Sequence, residues 1–398
     1  MSTPLTIGQF NDGYLPVTDG VVTVVRNYAY WLNKKYGKCI VYAPNSKRYQ
    51  NSESFDVQPY LSMPIPGRKP YRFGFPAIDA TYRKNVDRVP FDLVHSHSPF
   101  SAGSEAYRVA KKHHIPLVGT FHSKFYDDFV QYFHSEHIAR TGVNLVIKFF
   151  QKCDSVWTVS DATVETLREY GYQGPVTVIN NGTDLAPPET QEEILSARRQ
   201  AEEVCSLAPD QPLFVFVGQH IWQKNVKMIL QAAEQLRFIE PNFKLVFVGT
   251  GYAKDEMQAF IDEHEGMNQQ VSLLGTIQDR TLLSYLYLRA SAFVFPSIYD
   301  NAPLVVREAS AMGAPSILVE GSTAAQGVED KVNGFLCQNN AESLRDTMLY
   351  CLKHPQISQE IGKKAQKTLA KSWSEIVDQV YEEYLKIIAN YKMHAQEK

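Results

Sequence analysis

Long apolar runs are missing from this chain. No stretch approaches the ~18–20 uninterrupted apolar residues that a membrane-spanning helix needs, although hydrophobic residues make up 44%, an ordinary globular share. Cysteine is scarce and unclustered: Cys39, Cys153, Cys205, Cys337 and Cys351 form an odd set with no metal-ligand spacing. That excludes a disulfide framework and fits a reduced, cytoplasmic protein with mostly buried thiols. The opening residues Met1 to Thr6 carry neither a positive head nor an apolar stretch, so no signal peptide is expected. There is no low-complexity tract and no obvious sequence repeat. At 398 residues the chain is too long for one ordinary domain and comfortable for two. The net charge of −3 is also small, but it hides an asymmetry. Residues 26–152 hold 19 Lys and Arg against 9 Asp and Glu, a balance of +10, which leaves −13 for the remainder. A basic half suits an anionic partner such as a membrane surface, a nucleic acid or a phosphorylated substrate; a merely solvated lysine-rich surface would read the same way.

What is present is alternation. Leu5–Phe10 reads as a strand, and a helical pattern runs from Val21 to about Tyr36 and stops at Gly37, a residue suited to a C-cap. Strands follow at 38–43, 91–95, 115–120, 156–159 and around 176–179. Each of the middle three is followed by a helix-compatible stretch. Ala186-Pro187-Pro188 breaks the pattern and reads as a linker. Alternation resumes with strands at 213–218, 244–248, 271–274, 292–295 and 315–319, then helices from about Ala341 with an amphipathic pattern over 373–391. This predicts an α/β protein of two doubly wound, Rossmann-like domains, 1–185 and 186–372, facing across a cleft, with residues 373–398 as a C-terminal helix. Ligands of such sheets lie beyond the carboxyl ends of strands, so site candidates should follow strands.

One candidate is the segment Phe295 to Gly313. A strand ends at Phe295, Pro303 suits the first turn of a helix and Asn301 can cap it. The helix start offers backbone N–H groups and a partial positive charge to a phosphate. Asp300 and Glu308, if joined by helix, would stand roughly 10 Å apart, wide enough for one to hold a sugar and the other a ribose. As structural residues, Asp300 would instead cap and Glu308 would face solvent. Gly249-Thr250-Gly251 lacks the third glycine and the acidic partner of a dinucleotide fingerprint and reads as a turn.

The same segment resembles the signature of family 4 glycosyltransferases, retaining enzymes of the GT-B fold. Their pattern, P-S-x-x-E-x-x-P-L-V-x-x-E-A-x-A-x-G-x-P, stands here as Pro296-Ser297, Asp300, Pro303-Leu304-Val305, Glu308-Ala309, Ala311, Gly313 and Pro315. The resemblance implies that Asp300 contacts hydroxyls of the transferred sugar and Glu308 the ribose, with Asn301, Ala302, Pro303 and Leu304 lining the sugar and diphosphate. Asp replaces the usual Glu at position 300 and shortens its reach by one methylene. Val217-Gly218-Gln219 to Lys224-Asn225 is similar to the family's V-G-R-x-x-x-E-K-N. It implies a diphosphate grip by Lys224, while Gln219 stands where arginine is usual and offers only a neutral hydrogen bond. His220 can add positive charge there or simply line the wall.

Tyr14-Leu15-Pro16 with Gly20-Val21 is similar to the opening of the family members that glucosylate diacylglycerol, and Gly20 would let a diphosphate approach the backbone. His122 matches the family's cleft histidine near the donor sugar and reacting centre. Tyr126-Asp127-Asp128-Phe129 looks like the Y-E-D-Y that follows it in the glycolipid synthases, which places Tyr126 and Asp127 with His97 on the acceptor side. His95, His97 and His122 have no acidic or cysteine partner at metal spacing, and the family needs no metal, so neither metal nor cofactor is expected. The C-terminal helix from Trp373 has a family parallel that crosses back to the first domain.

The implied activity moves a hexose from a nucleotide diphosphate sugar, UDP-glucose first, to a hydroxyl acceptor. Pro64 to Phe75 alternates cations and aromatics that can rest on an anionic bilayer, or forms an ordinary surface loop. The expected partners are therefore a nucleotide sugar, a lipid hydroxyl and an anionic membrane, with no nucleic acid. The expected place is cytoplasmic, peripheral on the inner face of the membrane. A soluble or polyprenyl-linked acceptor, a nucleotide-sugar epimerase and a catalytically silent nucleotide-binding protein stay open beside it.

Overall fold

The structure is a computed structural model and describes residues 4–17, 19–46, 50–66, 70–208 and 210–396. The chain forms two compact units: residues 1–181 together with 373–398, and residues 182–372. The division falls between Asn181 and Gly182 rather than at the proline pair, and the C-terminal helix Trp373–Gln396 belongs to the first unit.

In the first unit the strands are β1 (Leu5–Phe10), β2 (Gly37–Pro44), β3 (Asp56–Tyr60), β4 (Ser62–Pro64), β5 (Arg72–Gly74), β6 (Leu93–Ser96), β7 (Leu117–Phe121), β8 (Ser155–Thr158) and β9 (Thr177–Val178). Seven of them form a parallel sheet in the order β3-β2-β1-β6-β7-β8-β9. β6 and β7 are buried along their whole length, as central strands of a sheet covered on both faces must be. Strand order reverses between β1 and β6, which makes their carboxyl ends the switch point of this unit. Helix Gly20–Lys35 ends at Tyr36, so Gly37 is not its cap but the first residue of β2. There Gly37 lies against Leu5, and a Cβ would fall 2.4 Å from the Leu5 carbonyl oxygen. Close strand approach, not helix termination, requires glycine at this position.

β4 and β5 pair as an antiparallel hairpin in the segment that reads as a cation–aromatic loop. Arg72 fastens it by donating from Nε to Ser62 Oγ at 2.7 Å and from Nη2 to Ser62 O at 2.9 Å. Gly67, Arg68 and Lys69 of that segment lie outside the described residues, as do Met1 to Thr3 of the expected leader-free start.

The second unit contains β10 (Leu213–Val217), β11 (Lys244–Val248), β12 (Val271–Gly275), β13 (Ala292–Val294), β14 (Ser316–Val319) and β15 (Phe335–Cys337). They form one parallel sheet in the order β12-β11-β10-β13-β14-β15. The run Leu213 to Val217 is buried throughout, with Val226, Ile229 and Phe293 in the same core. Here the order reverses between β10 and β13. All five cysteines are free thiols, and four of them are buried.

Candidate active site

The loops that leave β10 and β13 meet at the switch point of the second unit. Lys224, at the end of a single 3-10 turn Trp222–Lys224, donates from Nζ to Asp300 Oδ1 at 2.7 Å and Oδ2 at 2.9 Å. Ser297 Oγ adds a bond to Asp300 Oδ2 at 2.7 Å, and Asn225 Nδ2 donates to the Pro296 carbonyl at 2.8 Å. Side-chain exposures of 12% for Lys224 and 20% for Asp300 leave the pair shielded but open to a ligand on one side. Such a partly desolvated pair is held more firmly than one on an open surface.

The β10 loop is in turn seated on the β11 loop. Gly218 N–H donates to Val248 O and His220 N–H to Thr250 O, both at 3.0 Å. Gly249 adopts φ +134°, and a Cβ on it would fall 1.9 Å from Gly218 O; one on Gly251 would fall 2.2 Å from His220 O. The Gly249-Thr250-Gly251 turn therefore sets the height of the Lys224 loop. Gln219 is exposed. His220 is fully buried, packed on Phe216 and Phe247, and neither ring nitrogen has a hydrogen-bond partner. Burial, then Lys254, lowers its pKa. His220 is a neutral packing residue and supplies no positive charge.

The helix after β13 spans Leu304–Ala311. Its N-cap is Pro303, with extended backbone (ψ 123°), and no side chain caps it. Asn301 is thus not the cap, because the chain turns into helix two residues later than its position requires, and Pro303 precedes the first turn instead of lying in it. The helical spacing estimate for Asp300 and Glu308 fails for the same reason. Glu308 is also not on a solvated face: it is 6% exposed. Arg280 Nη2 donates to its Oε1 at 2.9 Å and Tyr287 Oη to its Oε2 at 3.2 Å, while Arg280 reaches Asp184 at 2.6 Å. Burial works against the Arg280 charge, yet Glu308 and Asp184 hold its pKa above the ordinary value. Burial first, and then Glu308, keep the Tyr287 phenol protonated and donating. The second unit thus presents two anchored carboxylates, each with its own cation.

In the first unit, Gly20 opens helix Gly20–Lys35 with open space where a Cβ would stand, and Asp19 caps the helix by accepting from Val22 N. His97 follows β6 and His122 follows β7. Their rings are stacked, with His97 Nδ1 3.0 Å from His122 Nε2. Burial holds His97 well below the usual histidine range and pushes His122 down to about 3. Tyr126 and Asp127 lie on helix Phe125–Phe133, the former half-buried with its N–H donating to Tyr170 Oη at 2.9 Å, the latter exposed. Among the described residues no three His, Cys, Asp or Glu side chains are grouped to hold a metal ion. Sequence reasoning did not reach Arg280 and Tyr287, which sit on helix Arg280–Arg289 outside any motif.

Two doubly wound units, one carrying a cation–carboxylate pair at its switch point, define an α/β fold of the GT-B class. The chain belongs to the family 4 glycosyltransferases: residues 18–187 match Glycosyltransferase Family 4 and residues 198–368 match Glycosyl transferases group 1. It is 24% identical over 372 residues to the alpha-monoglucosyldiacylglycerol synthase of Acholeplasma laidlawii, covering 91% of this chain and 92% of that protein. It is 24% identical over 337 residues to the synthase of the same name from Streptococcus pneumoniae, covering 83% and 75%. Among solved structures, HepE of Anabaena in complex with UDP-glucose superposes with TM-score 0.74 at 17% identity, over 96% of this chain and 100% of that one. Sucrose-phosphate synthase from Thermosynechococcus elongatus gives 0.78 at 19% identity, over 97% and 100%. These two likenesses concern the fold. No helix among the described residues is long and apolar enough to cross a membrane.

Proposed function

We propose that this glycosyltransferase moves glucose from UDP-glucose to a hydroxyl of a membrane lipid such as diacylglycerol, with retention at the anomeric carbon. The observation that carries the donor half is the Lys224–Asp300 pair at the switch point, beside the helix that buries Glu308. Lys224 faces the diphosphate, Asp300 the sugar hydroxyls and Glu308 the ribose, with the backbone of Asn301, Ala302, Pro303 and Leu304 between them. Gln219, exposed on the loop after β10, and Gly20, whose helix start is open to an anion, complete the proposed donor-binding set. The positive charge comes from Lys224 and the helix N-terminus without a metal.

The acceptor oxygen attacks the anomeric carbon on the face the diphosphate leaves. The C1–O bond to phosphate breaks, the C1–O bond to the acceptor forms, and the departing phosphate oxygen takes the acceptor proton. The protein acts by positioning and by stabilising charge on the diphosphate. His122 stands at the reacting centre, with His97, Tyr126 and Asp127 on the acceptor side.

A lipid acceptor is supported by the names of the two synthases and by the first unit's surface. Helix Phe125–Phe133 buries none of its residues. Met63, Phe73, Phe100, Phe133, Ile138 and Leu145 are exposed in a region that carries the +10 balance. Tyr132 ties that helix to the hairpin through the Pro66 carbonyl at 3.3 Å. Exposed apolar side chains on a stretch of chain with an excess of cations suit an anionic bilayer, and this supports a peripheral place on the cytoplasmic face.

A donor panel read by thermal shift, followed by transfer to diacylglycerol in phosphatidylglycerol-containing vesicles, tests the proposal. UDP-glucose is expected to raise Tm and yield an α-linked glycolipid, with vesicle co-sedimentation lost in high salt. Stabilisation by no nucleotide sugar would sink the donor half. Transfer only to a soluble or polyprenyl-linked acceptor would sink the lipid half, and a changed sugar nucleotide released without any acceptor would make the protein an epimerase.

A further inference from the structure

A lysine ammonium has three N–H donors and no acceptor. Lys224 places two of them on Asp300, at 2.7 Å to Oδ1 and 2.9 Å to Oδ2, so it spans both oxygens of one carboxylate. Its remaining side stands over the Phe295 ring, 5.2 Å from the centroid, where the ring face attracts a cation. Asp300 is committed as well, since it also accepts from Ser297 Oγ at 2.7 Å. Both side chains are largely shielded from solvent, which makes the pair firmer than one on an open surface. A diphosphate oxygen therefore reaches Lys224 only in exchange for a bond to Asp300.

The two partners fare differently in that exchange. Lys224 replaces one anion by another. Asp300 keeps Ser297, which is fully buried, and its other lone pairs must find new donors. A nucleotide sugar brings hydroxyl donors to the carboxylate together with the diphosphate. A bare nucleoside diphosphate brings none. It leaves Asp300 as a shielded charge without its cation, facing phosphate oxygens of its own sign, and an uncompensated charge of that kind is costly. The loop itself does not depend on the carboxylate: Thr323 Oγ1 donates to the Asp300 carbonyl, and Asn225 Nδ2 to the Pro296 carbonyl at 2.8 Å.

We propose that Asp300 competes with the diphosphate for Lys224, and that this competition sets the preference of the site for a nucleotide sugar over the nucleoside diphosphate product. The carboxylate yields the lysine when sugar hydroxyls take its place. It reclaims the lysine once the sugar has been transferred, which weakens the hold on the product. This rests on UDP-glucose as the donor and on Lys224 as the residue that grips its diphosphate.

The test is calorimetry of UDP and of UDP-glucose binding to the full chain. D300N keeps the shape of the side chain and removes its charge. It should bind UDP about five- to tenfold more tightly than wild type, because the pair it loosens is firmer than an exposed one. UDP-glucose should bind it no more tightly than wild type, since the gain at Lys224 is cancelled by weaker bonds to the sugar. Its kcat should fall about ten- to a hundredfold, the loss of one hydrogen bond to a charged group. An aspartate that only held Lys224 in place would weaken both ligands on removal, and one that only repelled phosphate would tighten both. UDP bound equally or less tightly by D300N, or both ligands bound more tightly, would overturn the competition alone. Wild type that binds neither ligand, or K224M that binds UDP as wild type does, would overturn the donor reading and the proposal with it. Should D300N not fold, D300A removes both oxygens and is read by the same outcomes.

Discussion

Lys224 and Glu308 look alike on paper, each one half of an ion pair, yet their surroundings give them different sensitivities. Lys224 is the charge nearest the proposed diphosphate, and Asp300 takes both bonds the structure assigns to its ammonium. Lys224→Met keeps the length of the side chain and removes the charge. It should lower kcat by about 10²–10³, the usual loss for one donor aimed at developing charge, and a variant within threefold of wild type would remove Lys224 from the diphosphate. Glu308 sits deeper, between Arg280 and Tyr287. Glu308→Gln retains shape and one acceptor but loses a charge-assisted bond worth roughly 1.5–3 kcal/mol. Donor affinity, measured by calorimetry, should therefore fall about ten- to a hundredfold, and an unchanged Kd would refute the ribose contact. The acidic residues of this site were legible in the sequence because they fall within a spaced motif. Their holders, Arg280 and Tyr287, were not, because they come from a helix about 20–30 residues upstream, and only the sheet order brings that helix alongside.

At the scale of elements, legibility followed burial. The run 213–217 is apolar end to end and 244–248 is apolar after its first residue, Lys244; both are buried throughout, and their strands begin and end within a residue of where the sequence puts them. β3, Asp56–Tyr60, contains a proline and alternates weakly, as an edge strand does, and the hairpin β4–β5 has three residues on each side, so neither carries a readable period. Helix Gln191–Cys205 was masked by the proline pair before it, although Thr190 and Glu193 form a capping box at its start. The β11 turn shows how an element without chemistry positions one that has it. Gly249→Ala would force a side chain into φ +134° and against Gly218 O. The β10 loop must then move, carrying Lys224 with it. The variant should bind nucleotide sugar at least tenfold more weakly, with a loss of stability of about 1–3 kcal/mol from backbone strain. Normal donor binding would show that the two loops are independent.

For the whole molecule, acid sensitivity is divided unequally between the units. A buried histidine held neutral binds no proton at a pH where the unfolded chain, near 6.5, already does. Stability therefore falls as pH drops below about 6.5, by up to about 1.4 kcal/mol per pH unit for each such ring, and for His122 this continues down to about 3. His95, His97, His113 and His122 act this way in the first unit and His220 in the second. Asp12 opposes them: burial raises its carboxyl pKa, so its contribution grows as pH falls. One carboxyl cannot offset three hydrogen-bonded histidines between pH 7 and 5, and the first unit should lose stability faster than the second. Trp31, Trp157 and Trp373 lie in the first unit and Trp222 in the second, so tryptophan fluorescence reports mainly on the histidine-bearing half. Its urea midpoint should drop on going from pH 7 to pH 5. His95→Gln, less stable than wild type at pH 7, should lose less over the same interval because one of the protons taken up on unfolding is gone. Equal midpoints at the two pH values, or a slope that His95→Gln leaves untouched, would mean that the buried rings titrate like solvated ones.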